Sequence, residues 1–90
     1  MAKIYKANGE VLDIEPKNGK DFKLDELQEI VGGYIEIAQM KNNDIMVINE
    51  EGKLNDLPYN EKATEIYQHQ VYFGDFIVGD VLVCKSKEVK

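Results

Sequence analysis

Arginine and tryptophan are absent from this 90-residue sequence, and cysteine, histidine, serine and threonine occur once each, as Cys84, His69, Ser86 and Thr64. Each scarcity removes a chemistry. Without arginine there is no planar fork to grip phosphates or guanine edges, and the point charge of lysine does not reproduce it. Seventeen acidic residues stand against eleven basic ones, for a formal charge of −6. No basic stripe is therefore available, and direct nucleic-acid binding is not expected. One cysteine permits no internal disulfide and suits a reducing compartment. A single histidine, no Cys-x-x-Cys and no EF-hand loop leave no metal site, and neither phosphate-loop pattern occurs. No cofactor is expected. No apolar run approaches the ~18 residues that span a bilayer, and the start shows no apolar signal core. A cytoplasmic location, away from the membrane, is the expectation.

Apolar residues make up 43% of the chain and charged residues 31%, the balance of a folded globule rather than a disordered tail. Ninety residues suffice for one core. Two layers, a helix pair on one sheet, are expected.

Residues 4–15 alternate apolar and polar around Asn8-Gly9, the strongest short-range hairpin signal. A two-residue turn there sets Tyr5 opposite Leu12 and puts Tyr5, Ala7, Leu12 and Ile14 on one face; Pro16 stops the second strand. Leu24, Leu27, Ile30 and Val31 repeat with the helical period, behind the acids Asp25 and Glu26 that favour a helix start. Phe22 stands five residues before Leu27, the spacing of a hydrophobic staple, and Gly32-Gly33 ends the helix, with Gly33 expected at positive φ.

Residues 34–40 and 44–49 read as two strands joined by Lys41-Asn42-Asn43-Asp44. Apolar groups on both faces suggest that this hairpin is central in the sheet. Asn60 is a plausible N-cap for a second helix of about two turns, with Ala63, Ile66 and Tyr67 on its apolar side and Gln68-His69-Gln70 fraying. Val81-Leu82-Val83-Cys84 reads as the last strand. The fold expected is an α+β domain over residues 1–84. It has a small mixed or antiparallel sheet and two short helices in the order β-β-α-β-β-α-β, with a lysine-rich tail at 85–90.

Four blocks in this order resemble the family labelled domain of unknown function 3846. They are Ile30-Val31-Gly32-Gly33-Tyr34-Ile35-Glu36, Asn49-Glu50-Glu51-Gly52-Lys53-Leu54, Leu57-Pro58-Tyr59-Asn60 with Ala63-Thr64, and Ile77-Val78-Gly79-Asp80-Val81-Leu82. The resemblance runs from about residue 4 to residue 84. It implies the context of a phage, plasmid or other bacterial mobile element, and it brings no catalytic residue or cofactor with it.

Gly32, Gly33, Tyr34, Glu36, Asn49, Tyr59 and Asn60 form the candidate binding site, where two helix ends and a strand could meet. Each also has a plainer reading. The glycines stop a helix, Asn60 caps one, Tyr59 covers a neighbouring strand, and Glu36 points to water, since glutamate is rarely buried unpaired. The expected function is a non-enzymatic binding protein that adjusts or counteracts a host system, by sequestering a small, nucleotide-like signal or by masking a host protein. One alternative is a small enzyme built on Glu36 or Cys84, although a cysteine in a Val-Leu-Val run is usually an inert hydrophobe. The other is an acidic DNA mimic. The apolar run at 71–78 further suggests a homodimer with Tyr72, Phe73 or Phe76 at the seam.

Overall fold

Short alternating segments produce the strands and one strongly amphipathic segment produces the first helix. The structure, a computed structural model, describes residues 2–70 and 76–89, without the side chains of His69 and Gln70. Its elements are β1 (Ala2–Tyr5), β2 (Val11–Ile14), α1 (Leu24–Val31), β3 (Ile35–Gln39), β4 (Asp44–Asn49), α2 (Glu61–Gln70) and β5 (Val81–Lys85). The strands form one antiparallel sheet in the order β2-β1-β5-β4-β3. The expected α+β class and element order hold.

The helices lie on opposite faces of that sheet, so the fold has three layers where two were expected. Phe22, Leu27 and Val31 pack with Ala2, Ile45, Val47, Leu82 and Cys84 on one face. Ala63, Ile66 and Tyr67 pack with Tyr5, Met46 and Val81 on the other. The physical reason is visible in β4 and β5, whose neighbouring residues are apolar in turn and need cover on both sides. β5, the last strand, therefore takes the centre. The β3–β4 hairpin, expected there, lies at one end, with β3 as an edge.

The first hairpin is shifted one residue from its expected register. Tyr5 pairs with Val11 and Ile4 with Leu12. Gly9 N–H donates to the Lys6 carbonyl at 2.9 Å and Lys6 N–H to the Glu10 carbonyl at 2.8 Å. Gly9 alone in the turn has positive φ, at 99°. This is a three-residue loop with a glycine bulge, not a two-residue turn. The extra residue sends Tyr5 to the face opposite Leu12 and Ile14.

α1 begins with a staple between Phe22 and Leu27, both buried. The Glu26 carboxylate accepts from Lys17 N–H at 2.9 Å and Lys23 N–H at 3.1 Å. At the other end Gly32, not Gly33, holds positive φ, at 82°. The N–H groups of both glycines converge on the Gln28 carbonyl, at 2.8 and 3.1 Å. Gly33 serves a different need, because a Cβ there would stand 3.0 Å from Asn49 Nδ2.

Residues 85–89 are part of the fold rather than a solvated tail. Lys85 closes β5, Ser86–Glu88 form a 3-10 turn, and Phe22 N–H donates to the Glu88 carbonyl at 2.7 Å. Val89 bridges to Phe22 and packs on the α1-side core, where an apolar residue gains more than it would in water. α2 also continues through Gln70, past its expected fraying point.

Asn60 joins three parts of the chain. Its Oδ1 accepts from Ala63 N–H at 3.0 Å, while Nδ2 donates to the Tyr5 carbonyl at 2.8 Å and the Gly79 carbonyl at 2.7 Å. Asn60→Ala should destabilise the protein by about 3 kcal/mol, a lost cap plus two stranded carbonyls. Asn60→Asp should be no better, since a carboxylate keeps the cap but has no proton for the carbonyls. Urea midpoints check both; a mild Asn60→Asp change would reduce the residue to a simple cap.

Candidate functional site

Alternation along the β3–β4 pair puts Glu36, Ala38 and Ile48 on the α2 side of the sheet. Beyond β4 the chain makes a run of turns through residues 50–56, anchored by Glu50 N–H donating to the Tyr34 carbonyl at 2.8 Å and Leu57 N–H to the Gly52 carbonyl at 3.0 Å. It returns along Phe76, Ile77 and Val78. Thr64 on α2 fixes that return, with Ile77 N–H donating to its hydroxyl oxygen at 2.9 Å.

Between these walls lies a cleft of about 240 Å³, lined by Glu36, Glu50, Lys53, Leu54, Tyr67 and Phe76 over a floor of Ala38 and Ile48. Lys53 Nζ stands 4.3 Å from the centre of the Phe76 ring, a distance at which the negative ring face attracts a cation. Tyr59 packs against the same ring, with centroids 6.2 Å apart. The cleft thus combines two aromatic rings, an aliphatic floor, two carboxylates and one ammonium group.

The seven residues expected to form one site are distributed over the molecule. Gly32, Gly33, Tyr34 and Asn49 line a shallow hollow of about 280 Å³ beside the end of α1. Glu36 is exposed and belongs to the cleft on the other side, where Asn49 is also part of the wall. Tyr59 stands at the cleft through Phe76. Asn60 is fully buried with its amide engaged, so it holds the fold and offers nothing to a ligand. Asn49 is similarly occupied, its Nδ2 donating to the Val31 carbonyl at 3.1 Å and its Oδ1 accepting from Glu51 N–H at 2.8 Å. Lys53, Tyr67 and Phe76 escape sequence reading. The first sits in an unremarkable turn, the second on a helix stripe that reads as core, and the third in an apolar run. Tyr72 and Phe73 of that run lie outside the described residues.

Cys84 is buried on the α1 side, whereas α2, which carries His69, packs on the opposite face. Burial, with Glu88 nearby, pushes the thiol up to about 12, so at neutral pH almost no nucleophilic thiolate forms. Among the described residues no three His, Cys, Asp or Glu side chains are placed to hold a metal. No described helix is long and apolar enough to cross a membrane.

A raised thiol pKa means that the folded state holds this proton more tightly than the unfolded chain, whose value is near 9. The corresponding stability is complete below pH 9 and drains away as pH rises toward 12. Cys84→Ala should remove this part of the alkaline decline, read as the difference between urea midpoints of the two proteins at pH 8 and pH 10. In the native protein at pH 8, Ellman's reagent should react only as fast as the fold opens. Prompt labelling would show an accessible thiol.

A family model described as domain of unknown function (DUF3846) matches residues 5–89. No curated protein and no solved structure matches the chain.

Proposed function

We propose that this chain, which belongs to the domain of unknown function 3846 family, is a non-enzymatic binding protein whose site is the cleft between the β3–β4 hairpin and Phe76. The observation that carries this reading is the lining itself. Rings from Tyr67 and Phe76 supply apolar contact, while Glu36, Glu50 and Lys53 supply oriented charge. Sites for small molecules combine an apolar body with a few polar groups in this way.

Size narrows the occupant. About 240 Å³ falls below the roughly 300–1,000 Å³ of drug-sized pockets, so one ring-sized group fits and a whole dinucleotide does not. Charge narrows it further. Two carboxylates against one ammonium disfavour polyphosphates and favour a planar group with hydrogen-bond donors or a positive edge. A nucleobase-like ring of a small signal, or one side chain inserted by a protein partner, meets both conditions. Action on a host system by the product of a phage or other mobile element completes the proposal, and that part is supported by the family resemblance.

A thermal-shift series with adenine, cytosine, arginine and adenosine triphosphate tests the site. At 100 times its dissociation constant, a ligand adds about 2.7 kcal/mol of stability. The bases or arginine should raise the melting temperature, and the triphosphate should not. Phe76→Ala and Glu36→Gln, both at exposed positions, should abolish the rise. A rise that survives both substitutions places the site elsewhere.

A further inference from the structure

Among the described residues β3 is an open edge of the sheet. Glu50 N–H donates to the Tyr34 carbonyl and Met40 N–H to the Asp44 carbonyl. In an antiparallel ladder such bonds alternate along the strand, so the even-numbered residues of β3 bond to β4. The N–H and C=O groups of Ile35, Ile37 and Gln39 then point away from the sheet. Among the described residues no strand covers them. Soluble proteins ordinarily defend an edge with lysine, proline or a bulge. The sequence Ile35-Glu36-Ile37-Ala38-Gln39 has none of these, its one charge is Glu36, and its register with β4 is continuous. Its central side chain, Ile37, is 46% exposed.

We propose that β3 pairs antiparallel with β3 of a second copy of this chain, about a two-fold axis at Ile37, joining two sheets into one. The register argues for this occupant. With the axis at Ile37, each Ile37 exchanges N–H and C=O with its counterpart, and Ile35 does the same with Gln39 of the second copy. Every outward group on the strand is thereby satisfied. Glu36 faces Ala38, so no like charges stand directly opposite, and the two Glu36 side chains are only diagonal neighbours. An axis at Glu36 would oppose two carboxylates, which is destabilising. An axis at Ala38 would carry Ile35 past the strand end, onto Lys41 of the following turn. The other edge, β2, is one residue shorter and stands between Glu10 and Glu15-Pro16.

The pairing has a consequence for the cleft, which rests on the functional reading above while the seam does not. Glu36 and Ala38 line the cleft, and across the seam they meet Ala38 and Glu36 of the second copy. The two clefts then adjoin on one face of a continuous sheet, each with a second carboxylate at its border.

Light scattering across micromolar to millimolar concentrations reads the mass. The expected result is a rise toward twice the 10.3 kDa of one chain. Ile37→Lys, which puts two ammonium groups together at the axis, should hold the mass at one chain with an unchanged circular dichroism spectrum. Leu12→Lys on β2 should leave association intact. Hydrogen exchange on the unmodified protein gives the register: the Ile35, Ile37 and Gln39 amides should gain protection as concentration rises. A single-chain mass at every concentration overturns the proposal, as does a dimer whose Ile37 amide stays unprotected. Loss of the dimer in Leu12→Lys would place the seam on β2 and overturn it equally.

Discussion

The buried amide of Asn60 is the contact on which the other elements converge. A side-chain amide has an acceptor and two donors, and here all are engaged within the protein. The oxygen starts α2, while the nitrogen holds the end of β1 and the chain just before β5. These segments are far apart in sequence and belong to different layers. Aspartate and serine can also cap a helix, but neither can donate twice while accepting the cap bond. The same residue therefore sets where α2 begins and how the strap through Ile77 and Gly79 approaches the sheet. That strap forms one wall of the cleft, so the shape of the cleft depends on a contact buried away from it.

Two neighbouring hollows differ in the groups they offer. The one beside Gly32, Gly33 and Tyr34 is also lined by Gln28, Glu51 and Asn55, so it carries a single charge, and its Asn49 is already committed to hydrogen bonds. The cleft at Phe76 presents charged groups and ring surface together. Lys53 over the Phe76 ring shows which kind of charge that ring attracts, and the adjacent carboxylates add to the same preference.

Local features were legible in the sequence and relations between distant segments were not. The period of Leu24, Leu27 and Val31, the Phe22–Leu27 spacing and the glycine stop all lie within one helix, so α1 could be read end to end. Asn8-Gly9 announced a hairpin correctly but fits two turn geometries, and the one adopted shifts the register by a residue. Apolar residues on both faces of β4 suggested a central hairpin, whereas they mark a strand covered by one helix on each face. The candidate site shows the same division. Asn60 is recognisable as a cap from its position before Glu61, whereas its bonds to Tyr5 and Gly79 depend on the closed sheet. Phe76 meets Lys53 only because the chain returns after α2.

The central place of β5 carries a consequence for synthesis. β5 sits between β1 and β4, although it follows both in the chain. As a nascent polypeptide lengthens, the β1–β2 and β3–β4 hairpins emerge with no strand to join them. Each then presents an unpaired inner edge as well as an outer one. Isolated two-stranded hairpins are marginal in water, and pairing across such sequence separations is slow. Residues 81–85 therefore act as a keystone: the two hairpins that precede them cannot close on one another until these residues have been made.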